Sequence, residues 1–94
     1  MDQQLAPDWT ATTERAESSY GLPVYVKDDV AYSFEEALAE GLLRAVRVSR
    51  GLTQEQARHA IGCTVTAFAR WERGDSVPLS GLYRKAVERW LVAL

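Results

Sequence analysis

Arg70 and Arg73 stand near the end of a stretch that also carries Thr64 and Thr66, with Val65 and Ala69 set between them. At helical spacing these residues share one side, so planar guanidinium donors lie beside hydroxyls that both donate and accept, and beside small apolar groups. Such a set suits the reading of a patterned surface. Bond-making chemistry is harder to find. His59 has no second ligand or nucleophile pattern around it, Cys63 falls at an apolar turn position, and no pairing of carboxylate, serine, histidine and cysteine suggests an active site. One cysteine makes no internal disulfide and one histidine no zinc-finger set, so neither an enzyme nor a protein with a metal or cofactor is expected.

Two short helices joined by a short turn are needed to hold that side outward. Thr53 is a good N-cap, and Gln56 three residues on completes a capping box, which starts a helix at Gln54. Gly62 suits the positive φ at which that helix must stop. Thr64 then caps a second helix, from Val65 to about Arg73, that Gly74 ends. Ala57, Ile61, Cys63, Phe68 and Trp71 fall where two steeply crossing helices share a small core.

The residues Gly51-Leu52-Thr53-Gln54-Glu55, Ile61-Gly62-Cys63-Thr64, Phe68 and Arg70-Trp71-Glu72-Arg73-Gly74 together resemble the helix-turn-helix of the lambda repressor/Cro-like (XRE) proteins. The resemblance runs from about Leu42 to Leu94. It implies a compact helical domain that binds double-stranded DNA at a palindromic operator as a homodimer, with the helix 65–73 in the major groove. Thr64, Val65, Thr66, Ala69 and Arg70 would then contact bases, Arg70 by bridging O6 and N7 of guanine. Thr53, Gln54, Arg50, Arg58 and Arg73 would contact phosphate. The family also implies an ion pair between Arg47 and Glu72 that locks the first helix to the end of the second helix of the motif. One feature departs from the pattern: Ala57 and Arg58 stand where the family usually has leucine and alanine. Arginine there must turn outward or spread the helices. It either reaches toward phosphate or marks a helix-turn-helix altered to bind protein.

The charge is split along the chain. Residues 1 to 43 hold nine acids against two bases, a balance of −7, whereas the remainder holds nine bases against four acids, a balance of +5. The basic half is the half with the motif, and screening keeps the distant acids from deciding what it attracts. Residues 1–19 carry only Leu5, Trp9 and some alanines among polar groups, and read as a mobile acidic tail. Within it Trp9 has no local reason to be present, and would anchor the tail on this protein or on another. Residues 20–33 read as a turn at Tyr20-Gly21-Leu22-Pro23 and a β-hairpin, Val24-Tyr25-Val26 and Val30-Ala31-Tyr32, which must lie on the helices or pair with another chain.

Ser33 with Glu36 begins a helix expected from Phe34 to about Ser49. After Pro78, Leu79, Leu82, Tyr83, Ala86, Val87, Trp90, Leu91 and Leu94 make an apolar stripe, of which Trp90, Leu91 and Leu94 are expected to remain exposed as a dimer interface. The expectation is an all-α, four- to five-helix domain over 34–94 with a short hairpin extension. Met1-Asp2 starts no secretory signal, and no apolar run would span a membrane, so a cytoplasmic protein is expected. Two functions fit: a transcriptional regulator, in the first place a repressor, or an antitoxin whose N-terminal arm holds a toxin while the motif autoregulates the operon.

Overall fold

Residues 3–12 and 24–92 are described by a computed structural model of the chain. Four strands, β1 (Gln3–Ala6), β2 (Trp9–Thr12), β3 (Val24–Lys27) and β4 (Val30–Tyr32), form an antiparallel sheet in the order β1-β2-β3-β4. Five helices follow: α1 (Phe34–Ala39), α2 (Leu42–Ser49), α3 (Gln54–Ile61), α4 (Val65–Arg73) and α5 (Gly81–Val92). The all-α expectation is therefore wrong. This is an α+β chain in which a sheet and a helix-turn-helix share one core.

Two of the four strands lie in the stretch expected to be a mobile tail. Pro7-Asp8 turns the chain between β1 and β2, and an irregularity between Gln4 and Ala6 lets Ala6 face Trp9. Ala11 pairs with Tyr25, and Tyr25 with Tyr32, so these side chains share one face of the sheet. Leu5, Ala6, Trp9, Ala11 and Tyr25 are all buried. Trp9 thus anchors its own strand. Its ring lies 5.6 Å from that of Tyr32, with the Lys27 ammonium over it. Residues 13–19 of the expected tail, and the expected turn at 20–23, lie outside the described residues. The hairpin expected over 24–32 is β3–β4, turned by Asp28 and Asp29, both at the positive φ that Asp tolerates in a tight hairpin turn.

The helix expected from Phe34 to Ser49 is also two helices. Ser33 caps α1 as a capping box with Glu36, but Gly41 takes φ +91° and redirects the chain after a single short element. The break turns Leu43 inward with Leu42 and Val46, which one continuous stripe would not do. α1 packs on α4 and on the sheet. At the end of α4, Gly74 approaches Ala39 so closely that an added Cβ would lie 3.1 Å from its Cα. Arg84 of α5 pairs with Glu35 and lies over the Phe34 ring, which ties the last helix to the first.

Two consequences are measurable. Trp9→Ala should cost about 3–5 kcal/mol in urea unfolding, against about 0.5 for a residue in a loose tail. The Tyr25 hydroxyl is buried without a hydrogen-bond partner among the described residues, and burial raises its pKa. Its neutral form is the one the fold accepts, so stability is intact below the ordinary tyrosine range of about 10 and falls as pH rises above it. Tyr25→Phe should raise stability by about 1 kcal/mol at neutral pH and lessen that alkaline loss.

Candidate nucleic-acid interface

α3 and α4 are built as their caps dictate. Thr53 Oγ1 accepts from the Gln56 amide at 3.1 Å while Gln56 Oε1 accepts from Thr53 N at 2.9 Å. Gly62, at φ +94°, closes α3, and Thr64 Oγ1 accepts from Ala67 N at 3.1 Å to open α4. Phe68, Trp71 and Glu72 then point into the protein. Phe68 meets the Trp90 ring edge-on, and Trp71 stacks at a tilt on Tyr83.

Glu72 is the buried acid of this group. Arg47 Nε donates to its Oε2 at 2.6 Å, Arg47 Nη2 donates to Oε1 at 3.4 Å, and Gln54 Nε2 donates to Oε1 at 2.8 Å. A further Arg47 donor reaches the Leu52 carbonyl. The two charged side chains are 13% and 5% exposed. One carboxylate therefore joins α2, α3 and α4, and the inner side of α4 cannot rotate without breaking it.

The outer side is bare. Thr64, Val65, Thr66 and Arg70 are exposed, and Ala69 is half-buried among them. The Arg70 guanidinium has no hydrogen-bond or ion-pair partner among the described residues. The structure thus brings together the side chains named for base contact. Those named for phosphate are arranged less uniformly. Thr53 is exposed at the start of α3, and Arg73 is exposed but pairs with Asp75 at 2.9 Å. Arg58 turns outward to pair with Glu55, whose carboxyl that hydrogen bond holds below the usual range. Its outward course leaves Ala57 fully buried against the neighbouring helix. Burial pushes the Cys63 thiol up, as suits a packed turn residue.

Gln54 and Arg50, also named for phosphate, are engaged within the protein. The Gln54 amide holds Glu72. The Arg50 guanidinium donates to the Trp90 and Leu91 carbonyls at 2.7 and 2.8 Å and stacks on the Trp90 ring. The expected dimer surface is also corrected. Trp90 and Leu91 are buried, because the C-terminal part of α5 is covered by neighbours that include β1, while Leu94 lies outside the described residues. Exposed apolar side chains cluster instead at the start of that helix, with Leu79 94% and Leu82 73% exposed.

A family model described as a helix-turn-helix domain matches residues 41–94, more than half of the chain. The chain belongs to the helix-turn-helix family. No curated protein sequence and no solved structure matches it. The match starts at Gly41, so this helix-turn-helix protein carries its sheet and α1 ahead of the matched region. No helix among the described residues is long and apolar enough to cross a membrane. Since Glu72 would be stranded without its partner, Arg47→Ala should cost this helix-turn-helix protein about 3–5 kcal/mol in thermal or urea unfolding. Replacing both residues by apolar groups of similar volume should cost much less.

Proposed function

We propose that this helix-turn-helix protein is a sequence-specific DNA-binding regulator of the lambda repressor/Cro-like kind, acting as a repressor by occupying its operator. The observation that carries the proposal is the contrast between the two sides of α4. Its inner side is locked by Phe68, Trp71 and Glu72, while its outer side presents an unpaired Arg70 beside Thr66 and Val65. A rigid helix with a free guanidinium is what major-groove reading needs, since that groove shows a different donor and acceptor pattern for each base pair. Arg70 would bridge the two acceptors of a guanine edge. Val65 and Ala69 would pack against a thymine methyl, and Thr66 would donate or accept as the base requires.

Thr64, at the start of α4, would join this base-facing group, and Thr53 stands at the start of α3, where backbone amides draw phosphate. Arg58 and Arg73 are in exposed ion pairs of the kind worth little in water, so each can exchange its carboxylate for a phosphate. Two copies on a palindrome would give the two-fold arrangement usual for such motifs. The antitoxin alternative assigned the N-terminal arm to a partner. Leu5 and Trp9 of that arm are buried in this chain's own core, which favours the regulator.

Selection of the 94-residue protein against random duplexes, followed by sequencing, should yield a preferred duplex with two inverted half-sites about one helical turn apart. Arg70→Ala should weaken binding to it by about 1–3 kcal/mol and relax one base position in each half-site. Equal losses on preferred and random duplexes would remove Arg70 from base reading. A pool with no enrichment at low salt would remove the function.

A further inference from the structure

α5 ends with carbonyls that have no partner within the helix, and side chains from two other elements take them. Gln3 Nε2 of β1 donates to the Val92 carbonyl at 2.8 Å, and the Arg50 fork takes the Trp90 and Leu91 carbonyls together. A cation at a helix C-terminus is favoured by the dipole, and a planar fork matches two adjacent oxygens as an ammonium cannot. The same guanidinium lies 4.8 Å from the centre of the Trp90 ring. That ring meets Phe68 of α4 edge-on, with centroids 6.2 Å apart and planes at 87°. Phe68 is fully buried, so its seat helps set the tilt of α4. A chain of contacts therefore runs from the C-cap of α2 through α5 to the inner side of α4.

The geometry points to Arg50 as a positioning residue for base recognition: it acts through Trp90 and Phe68 to set the attitude of α4, and does not itself hold phosphate. This inference rests on the DNA-binding reading above. It assigns specificity to a basic residue next to the motif whose composition alone suggests simple charge attraction. Loss of the fork frees the last turn of α5, lets the Trp90 ring move, and loosens the seat of Phe68. Arg70 and Thr66 then meet the base edges at the wrong angle, while attraction to any duplex persists.

The test compares the wild-type chain with Arg50→Ala and Arg50→Lys, each checked for its folded circular dichroism spectrum, on the selected duplex and on random duplex across a salt series. Both variants should lose about tenfold on the selected duplex, the size of one mismatched base pair, with random binding and the salt slope unchanged. Lysine keeps the charge but not the fork, so it should not rescue. Rescue by lysine, or a salt slope lowered by about one in Arg50→Ala with equal losses on both duplexes, would make Arg50 a phosphate contact and overturn the inference. Amide hydrogen exchange on the free protein is read in parallel, at a temperature where both variants are folded. Exchange should quicken in the last turn of α5 and around Phe68 in α4, and not in the sheet. Quickening confined to α5, or none, would overturn the positioning role even if the wild type binds DNA as proposed. A wild type that prefers no duplex would sink the DNA-binding reading instead, and the exchange around Phe68 would still decide whether Arg50 seats α4.

Discussion

The Glu72 carboxylate, buried where three helices meet, imposes the condition that the rest of the helical half satisfies. An ionised group taken out of water loses several kcal/mol of hydration, and only close, well-aimed donors offset that loss. Here the donors come from Arg47 on α2 and Gln54 on α3. Each must therefore keep its helix within hydrogen-bond reach of α4. The net contribution of such a pair to stability is small, because desolvation consumes most of the attraction. Its effect is on geometry: arrangements in which α4 has rolled leave a bare buried charge and are strongly disfavoured.

That triad cannot by itself make a stable fold, because a small domain buries too little apolar surface to offset chain entropy comfortably. The sheet and α1 supply the missing interior. Trp9, Tyr25 and Phe34 belong to the same buried cluster as Leu42, Phe68 and Leu91. α1 reaches α4 directly, and the near contact of Gly74 with Ala39 shows how little space separates them. The matched region 41–94 is thus one part of a single packed unit, and the residues before it act as part of its mount.

What could be read in the sequence was what is encoded locally. The capping boxes at Ser33 and Thr53 and the cap at Thr64 each join residues three apart, so they announced α1, α3 and α4 without reference to the rest of the chain. The β3–β4 hairpin was legible for the same reason. β1 and β2 were not, because sparse apolar residues among Gln, Asp and Thr look like a tail until α2 and α5, far along the chain, pack against β1. Their one local sign was Trp9, a large apolar ring with no nearby partner. The Gly41 break was hidden because the three-four repeat continues through it. The α5 stripe was visible, but which of its ends is covered depends on where the sheet lies, and nothing within the stripe says so. Likewise the charges of Arg50 and Arg70 look alike in sequence. Only the fold shows that one is engaged at a helix end and the other is free.

That difference bears on how the proposed activity divides into attraction and discrimination. Much of the basic half's excess is already engaged: Arg47 with Glu72, Arg84 with Glu35, and Arg50 with the end of α5. The exposed pairs of Arg58 and Arg73 are weak enough to rearrange, whereas Arg47 and Arg50 are held by several bonds each. On the DNA-binding reading, Arg47, Arg84 and Arg50 are unavailable to phosphate while Arg44, Lys85 and Arg89 stay exposed, and the acidic sheet half adds long-range repulsion that salt screens within about 10 Å at 0.1 M. Sequence-independent attraction should therefore be modest for a protein of this type. Selectivity has to come from a small number of groups on α4, placed accurately. A site of that kind gains more from a rigid mount than from added charge, because an orientational error in a single guanidinium forfeits a bidentate contact, while a displaced lysine near phosphate loses little. The amount of internal bonding devoted to holding α4, from Glu72 on one side and Trp90 on the other, is consistent with that demand.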